Sequence, residues 1–196
     1  MTLRMPEPTE ASVEIVRSHL SALAGRTAFH HRALTRANPA GLALAAPHDV
    51  YFLSLSDLAG GAFLEAARAV GRRFIVMDGS KPVASAELAD DLRGSGFQAS
   101  EGQLVDSTAA AIDRAEADAQ LGNADYEVRL LRIPALYFTA LWLKNEDGRT
   151  ADVVIPLDPA PAPFEPGRKY APAEIRSPLA EAARAHVALD DDEPPA

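Results

Sequence analysis

The sequence predicts an α+β fold, a single domain with an antiparallel or mixed sheet of about five or six strands and helices packed on it, one at each end. Three observations carry this expectation. Asp78-Gly79 stands between two runs of β-forming residues and signals a hairpin, because both central positions of a type I′ turn need positive φ. Residues 126–143 and 152–157 hold the densest bulky apolar runs; Pro134 and the turn-forming Asn145-Glu146-Asp147-Gly148 divide them into three antiparallel strands. Val13, Val16, Leu20 and Leu23 recur at helical spacing behind Thr9, a good N-cap.

Taken in order, the first helix is expected to begin after Thr9 and to stop at Gly25. Asn38-Pro39-Ala40-Gly41 reads as a turn, and residues 42–46 as a strand that Pro47 interrupts. Residues 50–55 are dense in β-formers. After Gly60-Gly61 a short helix is expected over about 62–70, closed by Gly71. Residues 74–77 and 83–88 form the two arms of the hairpin. Pro82 keeps the return strand at an edge or confines its pairing to later residues. A competing reading makes Ser85 the cap of a helix that ends at Gly94.

Gly94, Gly96 and Gly102 mark a loop, after which Asp106 or Ser107 caps a helix reaching about Leu121. Its buried face is thin, with Ile112, Ala115 and Ala119. The first half of the apolar run alternates through Tyr126, Val128 and Leu130, and the second is apolar almost throughout, as in a strand covered on both faces. Five prolines between 156 and 170 make an extended connector. Ser177-Pro178 then starts the last helix, with Leu179, Ala183 and His186 or Val187 facing inward. The domain is expected to span 1–189, and the acidic residues 190–196 to form a disordered tail. The expected order is α, β, α, β, β, α, β, β, β, α.

The absence of cysteine excludes disulfides and thiolate chemistry. No stretch approaches the roughly 18 apolar residues that span a bilayer, and MTLRMPEPTE lacks the apolar segment of a signal peptide. Together these favour the cytoplasm and argue against a membrane partner. Sixteen arginines against three lysines, with abundant alanine, suggest a bacterial genome rich in G and C. The formal charge of −9 argues against a general nucleic-acid binder. That charge is segregated: residues 15–48 contain no acid, while they hold Arg17, Arg26, Arg32 and Arg36 with His19, His30, His31 and His48.

Motifs for chemistry are sparse. His30 and His31 are adjacent and so point in different directions, which argues against a shared metal; no HExxH occurs. Phosphate-cradling glycine motifs and the GxSxG nucleophile elbow are also absent. His48-Asp49 at a strand mouth reads as a strand cap more readily than as an acid/base pair, and Asp78 reads as a turn residue. No cofactor or metal is indicated.

Glu127 and Arg129 differ. They share one strand face at spacing two inside the apolar heart, so an ion pair is expected there, or the floor of a pocket with Tyr126, Tyr137 and Trp142 nearby. Two functional expectations follow. One is a non-enzymatic bacterial protein-interaction module (accessory, chaperone-like or immunity-type) that engages a protein partner through Arg26, His30, His31, Arg32 and Arg36 and through the acidic tail, and that is compatible with a homo-oligomer. The alternative is a small-molecule-binding protein or enzyme with a pocket against the sheet at Glu127, Arg129, Tyr137 and Trp142. A metal-assisted hydrolase using the histidines is the weakest option.

Overall fold

Alternating apolar and polar residues build one mixed sheet of eight strands in a computed structural model that describes residues 2–24, 32–89, 96–121, 124–148 and 150–191. Along the chain the elements are β1 (Thr2–Arg4), α1 (Glu10–Ala24), α2 (Arg32–Arg36), β2 (Leu42–Phe52), α3 (Leu55–Ala59), β3 (Arg68–Asp78), β4 (Lys81–Ala89), β5 (Phe97–Ser100), α4 (Gln103–Ala117), β6 (Asp125–Ile133), β7 (Phe138–Asn145), β8 (Val153–Pro156) and α5 (Pro172–Asp191). The α+β class is as the sequence implies. Among the described residues no helix is long and apolar enough to cross a membrane.

The strand order is β5-β4-β3-β2-β6-β7-β8. Strands β2 to β5 form one antiparallel meander and β6 to β8 another. A parallel seam between β2 and β6, from Asp49↔Arg129 to Phe52↔Arg132, joins them. β1 pairs in parallel with the start of β6, at Asp125 to Glu127.

Each face follows from the period of two along a strand. On the outer face, Val16 and Leu20 of α1 and Leu34 of α2 pack on Phe74, Val76, Ala84 and Ala86. Farther along it, α3 and α5 cover Leu131, Ile133, Phe138 and Ala140 through Leu58, Ile175 and Leu179. The inner face holds α4, whose Ala111, Ile112 and Ala115 meet Val50, Val128, Leu130, Leu141 and Ile155. The sheet is curled around this helix: α4 touches both β4 and β7. At its start it receives β5 through Glu101-Gly102, and it also meets the segment after β8, where the Asp158 N–H donates to Ser107 Oγ at 2.8 Å.

Several expectations are corrected. Eight strands replace five or six, because β1 and β5 are too short to stand out, the latter between glycines. No helix runs over 62–70: Leu64–Ala66 is one 3-10 turn and β3 begins at Arg68. Gly71 lies inside β3, where a Cβ would come within 2.3 Å of the Leu88 carbonyl oxygen, so close strand pairing and not helix closure explains this glycine. Residues 53–55 do not continue β2. Instead Ser54 caps α3, its Oγ accepting from the Asp57 N–H at 3.1 Å.

Pro47 does not interrupt β2; a bulge between Ala45 and His48 absorbs it, with Ala46 at φ 46°. His48-Asp49 therefore sits within a strand and not at its mouth. In the hairpin, Asp78 pairs with Lys81, so the two turn residues are Gly79 and Ser80, with Gly79 at φ 60°. Ser85 lies in β4, which settles the strand against the helix reading. Helix α4 starts at Gln103, before Asp106, and buries Val105 and Thr108 in addition to Ile112 and Ala115, whereas Ala119 is exposed. Helix α5 starts at Pro172, with Pro178 inside it, and its last turn includes Asp190 and Asp191 of the expected tail. The rest of that tail lies outside the described residues, as does Gly25.

Candidate functional site

Between the two helix pairs of the outer face a strip of sheet stays uncovered, and the Glu127/Arg129 pair lies on it. The expected ion pair forms, Arg129 Nη2 donating to Glu127 Oε2. The β2–β6 and β6–β7 registers place Asp49 and Trp142 beside Arg129. Tyr51 on β2 faces the same way, and its ring meets the Trp142 ring edge-on at 5.2 Å. The Arg129 guanidinium lies 4.5 Å from the Tyr51 centroid and 4.7 Å from that of Trp142. The two rings and the Glu127 carboxylate together fix the guanidinium in place. Its Nε is buried and has no hydrogen-bond partner.

This trio floors an open cleft of about 760 Å³. One wall is apolar, from Phe63, Leu64, Ala67, Pro172 and Ala173. The rim is charged, with Glu65, Arg176, Lys144 and Asp152. Asp152 fixes the far side: its carboxylate accepts from the Trp142 indole N–H at 2.9 Å, the Asn145 N–H at 3.0 Å and Lys144 Nζ at 3.3 Å. Glu65 accepts from the Phe63 N–H, and backbone N–H groups hold its carboxyl below the ordinary value. Burial raises the Tyr51 phenol above its usual range, although the Arg129 charge opposes the rise. The phenol is therefore protonated at neutral pH and is no base. With Glu127 and Asp152 tied into ion pairs, the arrangement suits binding better than proton transfer.

Compared with protein-family models, curated proteins and solved structures, the chain matches none. Of the four residues singled out from the sequence, Arg129 and Trp142 line the cleft, and Glu127 stands behind them, bonded to Arg129. Tyr137 stands apart: it occupies the turn before β7 at φ 51° and is 87% exposed. Its nearness in sequence misleads, because the β6–β7 turn carries it beyond the sheet end. Tyr51 was not singled out, and only the parallel β2–β6 pairing brings it there.

Of the basic segment, Arg36 ends α2 and is exposed; Arg32 begins α2; Arg26, His30 and His31 lie outside the described residues. Among the described residues no three His, Asp or Glu side chains gather as a metal site.

A second polar group lies on the inner face. His48 and Arg73 are register partners, and both are fully buried. Arg73 Nη2 donates to Ser85 Oγ at 2.5 Å and to Ser100 Oγ at 3.4 Å. Beside it Arg132 grips Glu87 through two bonds of 2.8 and 2.7 Å. Burial is the main cause that pushes His48 down to about 4, with the Arg73 and Arg132 charges adding to it. Burial likewise pushes Arg73 down to about 10. Nothing in the local sequence marks this group, since its members come from β2, β3, β4, β5 and β6.

Proposed function

We propose that the protein is a small-molecule-binding protein whose cleft receives an organic anion with a flat apolar body. The observation that supports this is the Arg129 guanidinium clamped on Tyr51 and Trp142 at the cleft floor. A cation held in this way is preorganised, so a ligand carboxylate or phosphate meets it with little further ordering. The cleft's volume is within the few hundred to about 1,000 Å³ typical of ligand sites, and its apolar wall with few polar groups has the usual composition.

Thermal-shift screening against a metabolite library tests the reading, followed by calorimetry on the hits. Acidic compounds should stabilise the protein, and Arg129→Met should weaken them by about tenfold to a hundredfold, the worth of a charge-assisted hydrogen bond. A library without a stabilising compound, or hits that bind Arg129→Met as tightly as wild type, would refute it.

A protein-interaction module is the second reading, favoured by the acid-free stretch 15–48 in a chain of charge −9. Steering of this kind acts on encounter rates and fades with salt. It requires a partner whose association slows when Arg36 is reversed to Glu and when ionic strength rises. A partner indifferent to both changes would count against it.

A further inference from the structure

Arg73 is a buried cation that takes no part in the outer cleft. It is 0% exposed, yet its Nε and Nη1 have no hydrogen-bond partner, and the Nε2 of its fully buried neighbour His48 has none either. Glu87 is its register partner on β4, but both carboxylate oxygens of Glu87 are engaged by Arg132. Among the described residues the cluster therefore holds two guanidinium groups, one carboxylate and a neutral imidazole, a net charge of +1. A buried charge without a counter-charge is strongly unfavourable, and each buried unsatisfied donor or acceptor adds to the cost.

From these groups we propose that the inner-face cluster of His48, Arg73, Ser85 and Ser100 is a binding site for a small hydroxyl-bearing oxyanion, such as hydrogencarbonate or hydrogenphosphate. The charge of Arg73 calls for an anion. Water would satisfy the N–H groups but leave the charge unbalanced. His48 selects further. Its Nδ1 lies 2.7 Å from the Ala46 carbonyl oxygen and must donate to it, so Nε2 is an acceptor. The guest must then accept from Arg73 and donate to His48, which a protonated oxyanion does and chloride does not. Ser85 and Ser100, bonded to each other at 2.8 Å, add adjustable hydroxyls. Glu87 and Arg132, beside the cluster, keep part of their side chains in solvent, 15% and 26%.

Thermal unfolding at constant ionic strength and pH near 7.5 tests this with bicarbonate, phosphate, formate and chloride as probes. Bicarbonate or phosphate should raise Tm in step with the logarithm of its concentration, by roughly 5–10 °C at a hundred times Kd, and formate and chloride much less. Arg129→Met, altered only in the outer cleft, should keep that response. Arg73→Met should fold, since an apolar side chain often replaces a buried cation without loss, and should lose the response. Ser100→Ala should weaken the effective anion about tenfold. The proposal is overturned if Arg73→Met responds like wild type, or if chloride matches the oxyanions. It is overturned equally if no anion shifts Tm and a crystal structure grown with bicarbonate shows only water at Arg73. Should Arg73→Met not fold, unchanged anion affinity in Ser100→Ala would overturn it as well.

Discussion

His48 shows what a single buried group does to pH dependence. Its folded-state pKa of about 4 lies below the unfolded value near 6.5, so the unfolded chain takes up the proton first as pH falls. The stabilisation is complete above about pH 6.5 and is lost progressively between 6.5 and 4, amounting to about 3 kcal/mol. In His48→Asn the amide nitrogen can still donate to the Ala46 carbonyl, but the group does not titrate. That variant should be less stable at pH 7, from the lost ring volume, yet lose less on acidification. Urea denaturation at pH 7, 5.5 and 4 gives the two curves, and a wild-type curve no steeper than the variant's would refute the assignment. No sequence pattern hinted at this, because neither the neutral state of His48 nor the uncompensated charge of Arg73 exists until the sheet pairs them. The Glu127–Arg129 pair was legible, since spacing two on one strand already fixes the shared face.

At the scale of elements, legibility tracked how local the cause was. β6, β7 and the hairpin were readable because alternation and turn chemistry act over a few residues. The stretch 62–70 was not. Its Ala-rich composition favours helix, but Gly71 fits a strand pressed against Leu88, a contact 17 residues away in sequence. Gly71→Ala should therefore cost about 2–3 kcal/mol, the range for overpacking a site that cannot give way, because the obstacle is backbone. Gly79→Ala meets open space but must hold φ 60°, which costs about 1–2 kcal/mol. Chemical denaturation of both variants should rank Gly71→Ala as the more damaging. The reverse order would mean that β3 and β4 separate easily there. The early start of α5 is the exception, a local cause that a stronger-looking signal downstream concealed. Pro172 suits a first turn, and the Glu174 carboxylate accepts from the Ala171 N–H at 2.6 Å, a device that outweighs the later Ser177-Pro178 signal.

For the whole molecule, the question is how two meanders act as one body. Their direct seam is short, four residue pairs between β2 and β6. Helix α4 supplies the rest: Ala111, Ile112 and Ala115 form one cluster with Val50 of the first meander and with Leu130, Leu141 and Ile155 of the second. The sheet curls around the helix because small residues on its buried face let both halves approach it. Cooperativity then depends on a helix whose apolar face is thin, and Ile112 is its largest buried side chain there. Ile112→Ala should lower stability by about 2–5 kcal/mol, the usual cost of removing a buried isoleucine to alanine. The more telling measurement is native-state hydrogen exchange. If α4 unites the meanders, amides of β3 and of β7 should both exchange faster in the variant, by similar factors, as the common opening reaction becomes easier. Acceleration confined to β6–β8 would mean that the first meander opens on its own and that the seam, not the helix, limits the coupling. The outer cleft depends on the same union, since Tyr51 comes from one meander and Arg129 and Trp142 from the other. Ile112→Ala should therefore weaken cleft ligands through a less firmly held Tyr51, although it lies on the opposite face of the sheet.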